Sequence, residues 1–272
     1  MQTYLIYVVL AVIVATSALY LFFWPRYRRK RMLTQPFPEE WERILDRRLS
    51  IYGKLPAALQ TQLQDLIKVF IGSKTFIGCA GQEINDEIKV VIAAQACLLL
   101  LNRPTYEYPE LRAIYVYPTA FRATREVQDE LGLVSTESRD LLGESWDTGK
   151  VILAWDDVDK GVRNFTDGYN VVLHEFAHQL DHESGIANGA PLLYTKAAYK
   201  SWAYVFGREF ENLQNSQPGQ SIIDYYGASD PAEFFAVATE TFFEEPLKLY
   251  EHHRELFEQL RDYYRLDPRD WA

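Results

Sequence analysis

Cysteine and methionine are nearly absent from this chain, with two residues of each among 272. Cys79 and Cys97 permit at most one disulfide and lack metal-ligand spacing, which argues against a disulfide-built secreted scaffold. Internal repeats and low-complexity tracts are missing as well. The chain is 48% hydrophobic and 14% aromatic, a composition typical of a globular body with a substantial core rather than of a disordered chain.

Positive charge is scarce over most of the chain. The net charge is −10, although residues 26–31 alone contain five basic side chains. Residues 32–272 carry 23 basic and 38 acidic side chains, and such a body repels a phosphate backbone. The sequence therefore predicts no nucleic-acid partner.

Charged side chains are absent from residues 1–25. The aliphatic and aromatic run over 4–24 is long enough, as a helix, to cross the roughly 30 Å hydrocarbon layer of a bilayer. A cleaved signal peptide is the alternative, but it requires a shorter run with positive charge before it. The sequence predicts a transmembrane anchor over 1–25 and a basic juxtamembrane linker over 26–38. The basic cluster after the run predicts a single-pass membrane protein with domain 39–272 facing the cytoplasm.

Domain 39–272 has helical spacing of apolar residues at both ends and strand patterns between them. Helices are predicted from apolar periodicity over 39–50, 57–71, 85–101, 195–213, 231–244 and 251–264, and after residue 169. Strands are predicted over 74–79, 111–117 and 150–155, with hairpins or loops over 125–146. This order predicts an α+β fold, mostly helical with a small sheet.

Five residues, His174-Glu175-Phe176-Ala177-His178, form the most informative motif. On a helix, positions four apart lie one above the other, so both imidazoles can bind one zinc ion. Glu175 lies between them and can take a proton from a zinc-bound water, as a general base does. The alternative is a helix with two histidines on a solvated face.

A catalytic zinc needs one more protein ligand, since its fourth position is kept for water. His182 is eight residues from His174, about 12 Å along a helix, which is too far to share the ion. Glu233 is the better candidate, because it falls in the first turn of an apolar helix after Asp230-Pro231. A capping role for Glu233 is the alternative, and spacing alone does not decide between the two.

Two more acidic residues are candidates for contacts behind the ligands. Asp181 lies three residues past His178, where it can hydrogen-bond a ligand ring or cap local backbone. Glu240 lies seven residues past Glu233 on the same helix side, where it can support the site or be structural.

Two strings, His174-Glu-Phe-Ala-His-Gln-Leu-Asp181 and Tyr226-Gly-Ala-Ser-Asp-Pro-Ala-Glu-Phe-Phe-Ala236, resemble the Mlc titration factor A family of zinc metallopeptidases. They are also similar to the catalytic domain of anthrax lethal factor. The resemblance covers most of residues 36–272 and implies a zincin-like peptidase fold.

By this resemblance, one zinc ion is held by His174, His178 and Glu233, with Glu175 as general base. Tyr226, seven positions before the ligand glutamate, would donate its phenol to the oxyanion of the tetrahedral intermediate. Tyr225 is adjacent but lacks that spacing. In zinc peptidases of this motif class an exposed strand pairs with extended substrate, and 150–155 is the candidate strand. An interior strand is the alternative for that segment.

The predicted function is a membrane-anchored zinc peptidase that hydrolyses peptide or protein substrates. The family resembled is cytosolic and binds a transcriptional repressor, so the predicted anchor departs from it. The alternative function is a protein-binding regulator that sequesters a repressor or other partner, with zinc mainly structural.

Overall fold

The computed structural model describes residues 2–103, 107–119, 122–128, 134–140 and 149–272. Its α-helices are α1 Gln2–Thr34, α2 Glu39–Arg48, α3 Ala57–Ser73, α4 Asp86–Leu98, α5 Trp155–Arg163, α6 Val171–Asp181, α7 Lys196–Gln214, α8 Pro231–Glu244, α9 Pro246–His252 and α10 Arg254–Tyr264. Its strands are β1 Thr75–Gly78, β2 Ala113–Tyr117, β3 Arg122–Gln128, β4 Val134–Asp140 and β5 Lys150–Ala154. The predicted α+β class, mostly helical with a small sheet, is confirmed.

The main sheet has three parallel strands in the order β1-β2-β5. Ile114 in the central strand is opposite Phe76 of β1 and Val151 of β5. Strands β3 and β4 form a separate antiparallel pair. Within the described residues, no strand pairs with the outer side of β5, and β5 contacts α6. Strand β5, which covers all of the predicted segment 150–155 except Trp155, therefore forms an edge of the described sheet beside the motif helix.

The core is built around α4, α6 and α8. Helix α4 is apolar on almost every side and is buried from Val90 to Leu98, as expected for a central helix. Phe176 of α6 packs against Tyr108, with ring centroids 4.8 Å apart. Phe235 of α8 packs against Trp202 of α7. Helices α6 and α8 contact one another directly, so this packing brings two distant chain segments together.

The helix predicted over 251–264 is instead divided between α9 and α10. The break falls at His253, whose backbone is not helical. Pro246 begins α9. Proline has no backbone N–H, and an N–H in the first helical turn would have no acceptor within the helix.

Helix α1 continues without a break through the basic cluster and ends at Thr34. Its end lies on α3, where Lys68 Nζ donates to the carbonyl of Gln35 at 2.7 Å and Arg28 donates to the carbonyl of Gly72.

Across the described part of the chain, every helix falls short of the combined length and apolarity that a bilayer crossing requires. The predicted transmembrane anchor over 1–25 is therefore wrong, and so is the single-pass membrane localisation facing the cytoplasm. The prediction relied on the length of the run 4–24, its aliphatic and aromatic composition and its lack of charge. That run also contains Thr16, Ser17 and three tyrosines, polar side chains that lower its apolarity.

Candidate metal centre

The motif helix α6 begins at a well-formed cap. Asn170 Oδ1 accepts hydrogen bonds from the N–H groups of Val172 and Leu173, both at 3.1 Å, which satisfies donors that the first helical turn leaves free. Four residues into the helix, His174 and His178 lie on one side with ring centroids 4.8 Å apart. Their Nε2 atoms are 3.2 Å apart, so both rings face one point.

Glu233 reaches that point from α8. Asp230 Oδ1 caps α8 by accepting from the N–H groups of Ala232 and Glu233. Asp230 therefore caps the helix, and the carboxylate of Glu233 is not needed for that role. Its Oε2 lies 3.0 Å from Nε2 of His174 and 3.5 Å from Nε2 of His178. One ligand atom from each of the three residues falls within 4.8 Å of the others.

This donor set fits a metal ion. Two imidazole nitrogens and one carboxylate oxygen are the protein ligands that zinc takes in catalytic sites. Nδ1 of His174 lies 2.8 Å from Oε1 of Glu240, so Nδ1 carries the proton and the lone pair of Nε2 faces Oε2 of Glu233. Two lone pairs facing one another require a cation between them, either a proton or a metal ion.

Without a metal ion, a proton takes that place. Burial alone would lower the pKa of His174, but hydrogen bonds to Glu233 and Glu240 outweigh it and hold the pKa well above its usual value. Burial would raise the pKa of Glu233, yet hydrogen bonds from His174 and His178 lower it to about 2. Glu233 is therefore an ionised carboxylate at neutral pH.

Glu175 is a buried carboxyl beside these groups. It is 1% exposed, and its Oε2 has no hydrogen-bond partner within the described residues. Burial raises the pKa of Glu175 to about 8, against the opposing effect of His174. A carboxyl with this pKa exchanges a proton near neutral pH, as a general base requires.

Tyr226 lies in a single 3-10 turn, Tyr225–Ala228, that precedes α8. Asp224 Oδ1 accepts from the N–H of Tyr226 at 2.8 Å and fixes the turn. The phenol ring is 6.0 Å from the ring of His174 and is 59% exposed. Partial burial and the nearby carboxylate of Glu233 raise the pKa of Tyr226 to about 12, so its hydroxyl remains a donor at neutral pH.

Glu240 and Asp181 differ in what they contact. Glu240 is buried behind the site and accepts from Nδ1 of His174, and its own pKa is raised by burial. Asp181 Oδ2 instead accepts from the N–H of Gly189 at 2.7 Å, which ties the following loop to the end of α6.

Sequence reasoning missed a group of buried polar residues around the cap of α6. Asn170 Nδ2 donates to Oε1 of Gln95 at 2.8 Å and to Oε1 of Glu244 at 2.9 Å. Two signals were present: an asparagine directly before the motif helix, and a glutamate four residues after Glu240. Of the other histidines, His253 contacts a different helix: its Nδ1 lies 2.9 Å from Oε2 of Glu209 on α7.

The chain matches a metallopeptidase family and is similar to several known proteins. The model of a family described as glucose-regulated metallo-peptidase M90 matches residues 24–265. The chain is 41% identical over 250 residues to the uncharacterized protein slr2042 of Synechocystis sp., covering 90% of each chain. It is 30% identical to Mlc titration factor A of Klebsiella pneumoniae subsp. pneumoniae, covering 84% of this chain and 86% of the relative. The Mlc titration factor A of Cronobacter sakazakii is also 30% identical, over 90% and 92%.

Proposed function

This chain belongs to the glucose-regulated metallopeptidase family M90, as the resemblance to Mlc titration factor A implied, and from that membership we propose that it is a zinc-dependent peptidase. The observation that carries the proposal is the convergence of His174, His178 and Glu233 within 4.8 Å. These three residues would hold one zinc ion. Zinc bound there would lower the pKa of a coordinated water to about 7 and polarise a scissile carbonyl.

Glu175 acts as the general base in this proposal. Its carboxylate accepts a proton from the attacking water and then passes it to the nitrogen of the leaving amine. Its burial on α6 supports this role, because a carboxyl without a local hydrogen-bond partner at Oε2 is available to the reacting atoms.

Tyr226 stabilises the oxyanion. Its protonated hydroxyl extends from the turn before α8 and donates a hydrogen bond to the carbonyl oxygen as that oxygen gains charge. The half-exposed position of the ring beside His174 supports this role, because a substrate that approaches from solvent can reach the phenol.

The outer edge of β5 is the proposed peptide-binding strand. Its N–H and C=O groups have no strand partner within the described sheet, and an extended peptide can add to such an edge. Because β5 contacts α6, a peptide on this edge runs past the motif helix.

The substitution Glu175→Gln tests the proposal. We expect zinc content to be retained and hydrolysis of a peptide panel to fall by about 10²–10⁴-fold, the usual contribution of a general base. Glu209→Gln is the matched control, since it alters a buried carboxylate outside the site, and it should keep activity. Undiminished turnover by the Glu175→Gln variant would remove the assignment.

A second function, binding of a regulatory protein with zinc mainly structural, is favoured by the relatives named Mlc titration factor A. Two measurements separate the functions: binding of purified Mlc by the wild-type protein, and peptide cleavage by the wild type compared with Glu175→Gln. Binding of Mlc by a wild-type protein that cleaves no peptide in the panel would favour the regulatory function. Cleavage that depends on Glu175, without Mlc binding, would exclude it.

A further inference from the structure

Asn170 has more hydrogen bonds than a helix cap needs. Its Oδ1 caps α6, and an asparagine in that role requires no further partner. Yet the side chain is fully buried, and both hydrogens of its amide are also used. Nδ2 donates to Gln95 of α4 and to Glu244 of α8.

The backbone of Asn170 is also connected to the metal centre. Its N–H donates to one carboxylate oxygen of Glu240, and the other oxygen of Glu240 lies 2.8 Å from Nδ1 of His174. One carboxylate therefore binds both the residue that starts α6 and the candidate ligand one turn later.

Glu233, Glu240 and Glu244 follow one another along α8 at spacings of seven and four, which places them on one side of the helix. Glu233 contacts the imidazoles, Glu240 contacts His174 and the backbone of Asn170, and Glu244 contacts the Asn170 side chain and the N–H of Gly168 at 3.0 Å. The side of α8 that supplies the candidate ligand is thus joined to the start of α6.

We propose that Asn170 is a positioning residue, which sets α6 against α8 through Glu244 and so keeps Glu240 on Nδ1 of His174. This inference rests on the proposed zinc site. Its chemical consequence is the tautomer of His174: with the proton held on Nδ1 by Glu240, the lone pair of Nε2 is directed at the metal position.

Removal of the amide donors has a defined effect. In a buried network, a lost donor leaves acceptors on Gln95 and Glu244 without partners, and these groups shift to find others. Glu240 is then no longer held by a fixed backbone N–H, and the Nδ1 tautomer of His174 loses its support.

The substitution Asn170→Ser tests this, because serine keeps the cap but has no amide donors. Asn85→Ser is the matched control. Asn85 caps α4 by accepting from the N–H of Ile88 at 2.9 Å, and it is exposed. Both variants keep a capped helix, and only the first loses the contacts with α4 and α8.

Two measurements are needed. In the metal-free protein both ring nitrogens of His174 carry protons, so ¹H–¹⁵N NMR reports without any zinc whether the Nδ1 proton stays in its hydrogen bond to Glu240. Competition with a chromophoric chelator reports zinc affinity. For Asn170→Ser we expect a weakened Nδ1–H hydrogen bond, seen as an upfield shift of that proton, and an affinity lower by about 10–100-fold, as for other residues that orient a ligand. Asn85→Ser should change neither. An unchanged Nδ1 proton signal and an unchanged affinity in Asn170→Ser would overturn the proposal.

A second pair keeps the test decisive if Asn170→Ser does not fold. Burial raises the pKa of Glu244 to about 8. Above that pH, Asn170→Asp places one carboxylate against another, whereas Asn170→Asp with Glu244→Gln restores a hydrogen bond of reversed polarity, so zinc binding is compared at a pH above that value. The double variant should bind zinc more tightly than the single variant by about tenfold or more. Equal affinities in the two would overturn the proposal.

The same experiments separate this inference from the proposed function. A wild-type protein that binds no zinc would contradict the zinc site itself. A wild-type protein that binds zinc, with an Nδ1 proton signal and a zinc affinity that do not depend on residue 170, would contradict only the role of Asn170.

Discussion

Two partly buried histidine–glutamate contacts of nearly equal length have very different surroundings. His174 and Glu240 are 2.8 Å apart at the metal centre. His253 and Glu209 are 2.9 Å apart where the α9–α10 junction meets α7. In each case a carboxylate oxygen lies within hydrogen-bond distance of Nδ1.

The pair on α7 is surrounded by balanced charge. Glu209 also pairs with Arg208 at 2.8 Å, and Arg208 reaches Glu255 at the same distance. A hydrogen bond from His253, together with Arg208, lowers the pKa of Glu209 despite burial. Positive and negative groups therefore alternate, and no further ion is required.

The metal centre has an excess of carboxyl groups. Glu175, Glu233 and Glu240 lie near two imidazoles, and Glu244 follows one turn after Glu240 on α8. None of the four forms an ion pair with a lysine or arginine that the structure describes. Burial raises the pKa of Glu175 and of Glu244 to about 8. Buried acidic groups without cationic partners are unfavourable unless a cation joins them. The two regions therefore differ in their excess of acidic groups, and this excess, rather than the histidine–glutamate contact, distinguishes the candidate metal site.

The largest expected effect that separates the two regions is that of Glu233→Ala. Loss of the third ligand should reduce bound zinc from about one ion to a small fraction and abolish hydrolysis, because two imidazoles alone hold zinc weakly. Metal content after gel filtration measures this. The control Glu209→Ala should keep its zinc while losing about 1–3 kcal/mol of stability from its unpaired partners. Unchanged zinc content in Glu233→Ala would assign Glu233 a structural role.

The next effect concerns the tyrosine beside the first pair. Tyr226→Phe should lower kcat by about 10²–10³-fold, the usual loss for one oxyanion donor, with zinc affinity unchanged. Tyr225→Phe is the matched control, as the adjacent phenol in the same turn, and it should have near-normal kcat. If the two variants lose equal activity, the oxyanion role of Tyr226 is contradicted.

A smaller effect is expected when the two contacts are weakened in the same way. Glu240→Gln keeps the shape of the side chain but removes its charge, so zinc affinity should fall by about 10–100-fold. Glu209→Gln makes the same change in the balanced region and should leave zinc affinity unaltered. Chelator competition on both proteins compares them directly. Equal affinities would mean that Glu240 supports the fold rather than the ligand.

The parts of this site that were predictable from sequence are those with a short-range signature. His174, Glu175 and His178 form a local pattern whose geometry follows from helical spacing. The strands near 74–79, 111–117 and 150–155 were found because β-formers cluster there. Glu233 needed the family resemblance, since helix-start signals alone fit a capping role equally well.

The parts that were not predictable depend on contacts between distant segments. Asn170 meets Gln95 and Glu244 across separations of 75 and 74 residues, and no periodicity in one helix reveals such a contact. The role of Glu209 depends likewise on His253, 44 residues away. The N-terminal error had another cause, because the anchor was inferred from the length and composition of the run 4–24 alone.

The smallest expected effect is the pH dependence of stability in the balanced region. The pKa of Glu209 in the folded protein is below its unfolded value, so its contribution to stability is present above the unfolded pKa. That contribution is lost as pH falls through the folded pKa, because the unfolded state takes up the proton first. Below about pH 4.5, the wild-type protein should therefore lose about 1–2 kcal/mol more than Glu209→Gln. Urea unfolding of both metal-free proteins between about pH 3 and pH 6 measures the difference, and contributions from the metal-centre carboxyls cancel in it. Parallel pH profiles would show that the charge on Glu209 contributes nothing, and the contrast with the metal centre would then rest on zinc binding alone.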